Sequence, residues 1–158
     1  MTDRYIYEQV RGPLMRFATS LVGPDHAADL VSEVVVATLQ RRPLSSLAHP
    51  QAYLMKAVLN RARSHGRQTE RERRAIARHG ETPPLQDPSE TWATGIEFAL
   101  AELPAQQRAA VYLVYWEDMT PSEAAKLLGL RAATLRRYLY LARKNLRRHL
   151  DESKEAPR

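Results

Sequence analysis

The segment from Thr120 to Leu150 constrains the fold most. Thr120-Pro121-Ser122-Glu123 has the form of a capping box, with Pro at the first helical position, where a missing amide costs nothing. The short helix it opens is expected to end at Gly129, which suits a left-handed C-terminal position. From about Ala132 to Leu150, Ala132, Leu135, Leu139, Ala142 and Leu146 recur at helical spacing. The opposite face carries Ala133, Arg137, Tyr140, Leu141, Lys144 and Arg148, with Arg136, Arg143 and Arg147 on one flank. A short helix, a glycine turn and a longer basic helix form the helix-turn-helix pattern. One face packs while the other presents cations to phosphates and base edges. The plainer reading of the same stripe is a solvated basic face with no ligand.

The rest of the chain is helical in pattern too, with no alternating β pattern of useful length and no internal repeat. One helix is expected over roughly Arg4 to Leu21. Gly23-Pro24-Asp25 starts a second, with Ala27, Leu30, Val31, Val34 and Thr38 at helical spacing. The β-branched run Val34 to Val36 lowers its propensity, so burial has to hold it. Arg42 to Pro50 reads as a loop, followed by a long helix from about Pro50. Gly80 to Ser89, GETPPLQDPS, contains three prolines and reads as an extended linker. Beyond it, a helix near Thr94 to Glu102 stops before Pro104, and another runs from Pro104 to about Glu117. Trp92 and Trp116 read as packing residues; Tyr53 reads either as a buried stem or as an aromatic on a ligand-binding side.

Charge separates the two halves further. The chain has 158 residues with a net charge of +6. From Arg61 to Arg78 there are seven basic and two acidic residues, and from Arg131 to His149 seven basic and none acidic. Residues 3 to 40 hold three basic and five acidic ones. Two basic blocks, one in each half, suggest two contact points on one polyanion. With no cysteine, a disulfide framework and a thiolate zinc site are excluded, and a reducing compartment fits. The start of the chain carries no long apolar run, so neither a signal peptide nor membrane insertion is expected. There is no Gly-rich phosphate loop, no HExxH and no Ser-His-Asp set. His26, Asp29 and Glu33 read as a solvated face and not as a metal site. No cofactor, metal or catalytic residue is therefore expected.

A family resemblance enters with the residues of the second half. Ala101-Glu102-Leu103-Pro104-Ala105-Gln106-Gln107-Arg108, Tyr112 to Thr120, and Glu123-Ala124-Ala125-Lys126-Leu127-Leu128-Gly129-Leu130 resemble region 4 of bacterial sigma factors. So do Thr134-Leu135-Arg136 and Ala142-Arg143-Lys144-Asn145-Leu146. The first half resembles sigma region 2. Asp29-Leu30-Val31-Ser32-Glu33 is similar to the family's polymerase-docking segment, and Ala52 to Arg63 to the helix that recognises and helps melt the −10 element. In order and spacing the two matches together resemble the extracytoplasmic-function type. The family usually has Gln at Ser32, an aromatic near Val35, Ser at Arg131, and Arg at Tyr138 and Leu141. Leu141 is expected to be exposed.

The resemblance implies an all-α protein of two small helical domains joined by a flexible linker. These are a region 2 bundle at 1–79, a linker at 80–92, a region 4 helix-turn-helix bundle at 93–151 and a disordered tail at 152–158. It implies a cytoplasmic, non-enzymatic sigma factor, monomeric when free, that directs RNA polymerase core to promoters. Its partners would be the β′ coiled coil and β flap of the polymerase and promoter DNA; the family often adds an anti-sigma factor. Polymerase docking falls to Asp29, Ser32 and Glu33. DNA binding falls to Asn60, Arg61, Arg63 and Arg67 at the −10 element, with the loop from Leu44 to His49 capturing an unpaired base. It falls to Arg131, Thr134, Arg136, Arg137, Tyr140 and Lys144 at the −35 element. Two other readings stay open from the residues: a stand-alone helix-turn-helix regulator that binds DNA as a dimer, and a degenerate sigma-like interaction module.

Overall fold

A computed structural model describes residues 1–78 and 99–155. The linker read at 80–92, Trp92 and the helix start read near Thr94 lie outside the described residues. All regular structure among the described residues is helical.

Helix α1 (Asp3–Val22) is capped by Thr2, whose hydroxyl accepts from the Tyr5 amide at 3.3 Å. It buries Ile6, Val10, Leu14, Phe17, Ala18 and Leu21, the stripe a 3.6-residue period lays on one side. Gly23 ends it and starts the next helix without a loop. Its amide donates to the Thr19 carbonyl at 2.9 Å, while its carbonyl accepts from Ala27 at 3.2 Å. Its φ of 82° is one that glycine alone reaches without strain. Helix α2 (Pro24–Arg41) buries all five positions expected of it and Val35 as well. The hydroxyl of buried Thr38 donates back to the Val34 carbonyl at 2.8 Å, so it needs no outside partner. The following loop contains a 3₁₀ turn, Leu44–Ser46, that sinks Leu44 into the core. The Ser45 amide donates to Asp3 Oδ1 at 2.9 Å, which ties the loop to the start of α1.

Helix α3 (Pro50–Arg78) buries Leu54, Met55, Val58, Leu59 and Ala62 in its first turns. After Ala62 the sequence offers Arg63, Ser64, His65, Gly66, Arg67 and Gln68, and none of these is buried. In the second half, α4 (Ala105–Val111) passes into a π-helical turn, Tyr112–Trp116, in which the Glu117 amide reaches the Tyr112 carbonyl at 3.1 Å. The helix expected to about Glu117 is thus present, with its last turn widened. Asp118 takes a left-handed φ of 52°, and the Met119 amide returns to the Leu113 carbonyl at 3.0 Å, closing the turn. Trp116, expected to pack, is 64% exposed because the wide turn aims it outward. Helices α5 (Pro121–Leu128) and α6 (Ala132–Glu155) complete the bundle. The last helix runs past Leu150 to Glu155, so the tail expected from 152 is helical there; no Pro or Gly interrupts it before Pro157.

The two halves share one core. Helices α1 and α3 pack on α4, and α3 also meets α5. The Phe17 ring lies 6.0 Å from that of Tyr112, tilted by 49°. A half of this size buries little on its own, and joining the cores relieves that shortage. Tyr112 makes this junction sensitive to alkali. Burial, reinforced by the hydrogen bond its hydroxyl donates to Glu117 at 2.7 Å, pushes its phenol up to about 12. The unfolded chain ionises the phenol near pH ~10. The folded state thus favours the neutral form, and this contribution is complete below pH ~10 and lost as pH rises through about 12. We expect the melting temperature of Tyr112→Phe to fall less than that of wild type between pH ~9 and ~11.5. Parallel curves in thermal scans would show that the phenol is not responsible.

Candidate nucleic-acid and polymerase interface

Three surfaces gather the residues expected to act. The first is the outer face of α2. Asp29, Ser32 and Glu33 are all exposed there, one turn apart. Val36 and Leu39, which the sequence reading passed over, continue this face and are 54% and 43% exposed. Acidic groups beside uncovered aliphatic ones are the mixture that a protein partner covers.

The second surface is a groove of about 630 Å³ between α2 and α3. It brings Tyr53, Lys56, Asn60 and Arg61 from α3 against Glu33, Thr38 and Arg41 from α2. Tyr53 is partly exposed at its wall, which favours the ligand-side reading over the buried stem. Arg61 donates to Glu33, and His65 Nε2 lies 3.5 Å from the other carboxylate oxygen. The Arg61 guanidinium holds the Glu33 carboxyl below the usual carboxylate range, more than its slight desolvation raises it. The pair is open to water, so it orients the two side chains more than it stabilises the fold. A residue expected to dock on polymerase and one expected to bind DNA thus hold one another, across 28 positions of sequence. Arg63 and Arg67, read with Asn60 and Arg61 as one set, do not join this groove. They face the start of α4 in the second half.

The third surface is the helix-turn-helix. Thr120 Oγ1 accepts from the Glu123 amide at 3.1 Å and the Glu123 carboxylate accepts from the Thr120 amide at 3.0 Å, the reciprocal box read from sequence. Gly129 closes α5 at φ 68°, and the Leu130 amide donates back to the Ala125 carbonyl at 2.8 Å. A side chain at 129 would also crowd Lys56, whose Nζ lies 2.9 Å from where a Cβ would stand. The turn therefore sits against α3. On α6, Leu135, Leu139 and Ala142 are buried and Ala132 and Leu146 half-buried, as the stripe predicted. Arg131, Arg136, Arg137, Tyr140 and Lys144 are exposed, and Thr134 is half-buried. Leu141 is half-buried, not exposed, although its wheel position lies on the face opposite the stripe. Two further contacts were beyond sequence reading because they join residues far apart. Arg143 donates twice to Tyr115 Oη, at 3.1 and 2.9 Å, and Asn145 donates to buried Gln107 at 3.0 Å. Arg143 is held, while Arg136 and Arg137 make no ion pair or hydrogen bond with the described residues.

Among the described residues, no group of three or more His, Asp or Glu is placed to hold a metal ion, and no helix is long and apolar enough to cross a membrane. The family described as "Sigma-70, region 4" matches residues 95–146. No curated protein matches the chain. Among solved structures, the chain is similar to one in the co-crystal structure of the sigma factor RpoE in complex with the anti-sigma factor NepR from Bartonella quintana. The TM-score is 0.64 at 24% identity, over 94% of this chain and 96% of that one. Residues 95–146, a third of the chain, thus match sigma-70 region 4, and the chain as a whole shares the fold of that solved structure.

Proposed function

We propose that this chain is a sigma factor of the sigma-70 family, in the extracytoplasmic-function form, that recruits RNA polymerase core to promoters and supplies no chemistry of its own, the polymerase making the RNA. The observation that carries this reading is the partition of α6: its apolar stripe is sealed in the bundle while Arg136, Arg137, Tyr140 and Lys144 stand free on the other side. A helix so divided, held by a capped partner helix and a glycine turn, fits the major groove at a −35 element. Asp29, Ser32 and Glu33, with Val36 and Leu39, dock on the β′ coiled coil, and region 4 meets the β flap. Tyr53, Asn60 and Arg61 handle the −10 strand from their groove, with Arg63 and Arg67 on its phosphates and the loop at 44–49 capturing a base. An anti-sigma protein is a fitting further partner, since the structure of similar fold was solved with one. The chain acts in the cytoplasm, where polymerase works, and enters it as a monomer.

On this reading the halves part in use. Elements named for positions −10 and −35 lie roughly 25 base pairs, or about 85 Å, apart on a duplex. The longest helix here, α3, has 29 residues and spans only about 44 Å. A body with joined cores falls short of both elements at once, so region 2 and region 4 act as separate readers on polymerase, linked by 80–92.

The docking half is tested by charge reversal. Asp29 is exposed and makes no ion pair among the described residues, so Asp29→Arg leaves the fold intact and is expected to weaken retention of core polymerase about tenfold or more. Glu33→Arg should do the same and release Arg61. Pull-down of core enzyme, followed by run-off transcription on genomic fragments, measures both. Full retention by both variants would remove the docking assignment.

A further inference from the structure

Where the two halves meet, α3 and the start of α4 enclose a cleft of about 570 Å³. Arg63, Arg67, Arg71 and Arg74 line it from α3. Their spacing of four, four and three residues puts all four on one side of a helix. Arg108 faces them from α4, with Glu102 as the one carboxylate in the lining. Arg63, Arg67 and Arg71 make no ion pair or hydrogen bond with the described residues. Arg108 donates its Nε proton to the Leu103 carbonyl at 3.0 Å, and its burial disfavours the charge it carries, with Glu102 opposing that only in part. So many guanidinium groups converging on one opening repel one another. The arrangement is relieved by an anion with several acceptor oxygens, which planar guanidinium groups bind in pairs. The lining is apolar between the cations, at Ala62, Leu103, Pro104 and Ala105, and Gly66 leaves its centre open, with no atom within 4 Å of a Cβ built there.

We propose that this cleft is a binding site for a ligand carrying two or more phosphate groups, held between the halves by α3 arginines and Arg108. Such a ligand would touch both halves and hold them together. Resting on the function proposed above, its consequence is competition: Arg63 and Arg67 cannot serve the bound anion and the −10 strand at the same time. The phosphates can come from a free polyphosphate or from a nucleic-acid backbone, and the chemistry at the arginines is the same.

Isothermal titration of the full free chain with inorganic pyrophosphate at low salt tests the site. One pyrophosphate per chain is expected. Arg71→Ala, at an exposed position outside the proposed DNA-binding set, should weaken it about tenfold. Gly66→Glu places a carboxylate among the arginines at a position with room for it, favours the helix over glycine, and should abolish binding. A parallel titration with hexathymidylate separates the sources. Binding that Gly66→Glu removes assigns the site to a strand backbone as well; no such binding assigns it to free polyphosphates. Absence of saturable pyrophosphate binding, or equal binding by wild type and both variants, overturns the proposal. No polymerase enters this experiment, so it can fail while the sigma reading stands, and polymerase retention can fail while the cleft still binds.

Discussion

Phe17→Ala is expected to destabilise the chain by about 3–5 kcal/mol, a large share of what a domain of this size has. The side chain is fully buried on α1, so truncation leaves a cavity and does not merely expose a ring. Its position makes the loss larger than that of an ordinary core residue. The same ring fills the core of the first half and meets Tyr112 of the second, so both packing surfaces lose a partner. Urea unfolding followed by circular dichroism measures it. Phe17→Leu keeps most of the volume and should cost markedly less. A loss under about 1 kcal/mol for the alanine variant would mean that the site collapses freely or that Phe17 is not buried as described.

The second large effect is on recognition. Arg137 stands opposite the buried stripe of α6, and Arg136 lies about a quarter turn round. Both are exposed. A guanidinium that points into the groove reads a base edge, and its loss costs about 1–3 kcal/mol of discrimination. One beside the groove meets a phosphate and carries no sequence information. Arg137→Ala should therefore narrow the gap between a matched and a scrambled −35 duplex by roughly tenfold or more. Arg136→Ala should weaken both duplexes alike and lower the salt slope by about one unit. Fluorescence anisotropy of the holoenzyme across a salt series resolves the two. If neither substitution alters affinity or selectivity, α6 is not the reading helix and its basic face is only solvated.

Much of this was legible in the sequence where the information is local. The Thr120–Glu123 box, the Gly129 stop and the α6 stripe each depend on residues within a turn or two, and each stands where it was expected. So does the start of α2 at Pro24. Periodicity tells which side of a helix is buried but not what covers it. That is why the meeting of Phe17 with Tyr112 could not be seen, nor the turn of Arg63 and Arg67 away from Asn60 and Arg61. The bond from Arg61 to Glu33 was hidden for a related reason: both residues suited separate roles, and only folding brings them together. Leu141 was misjudged because its wheel position lies on the face opposite the stripe, and nothing local in the sequence marks its partial burial. The widening after Val111 carried no Pro or Gly to mark it; Tyr112 to Trp116 reads as one more apolar helical turn.

That π-helical turn has a consequence for chain length. In an α-helix, residues five apart point about 140° away from each other. The wider turn brings Tyr112 and Glu117 into line, close enough for their 2.7 Å hydrogen bond. The segment behaves as a helix that has absorbed one surplus residue without breaking. Side chains late in the turn are displaced from the phase that a continuous α-helix would give them, Trp116 at the surface among them. Deleting a single residue between 112 and 116 would return the segment to α-helical phase. Tyr112 and Glu117 would then stand four residues apart on one face of an ordinary turn, so the surplus residue can be removed with the phenol–carboxylate contact and the downstream phase kept.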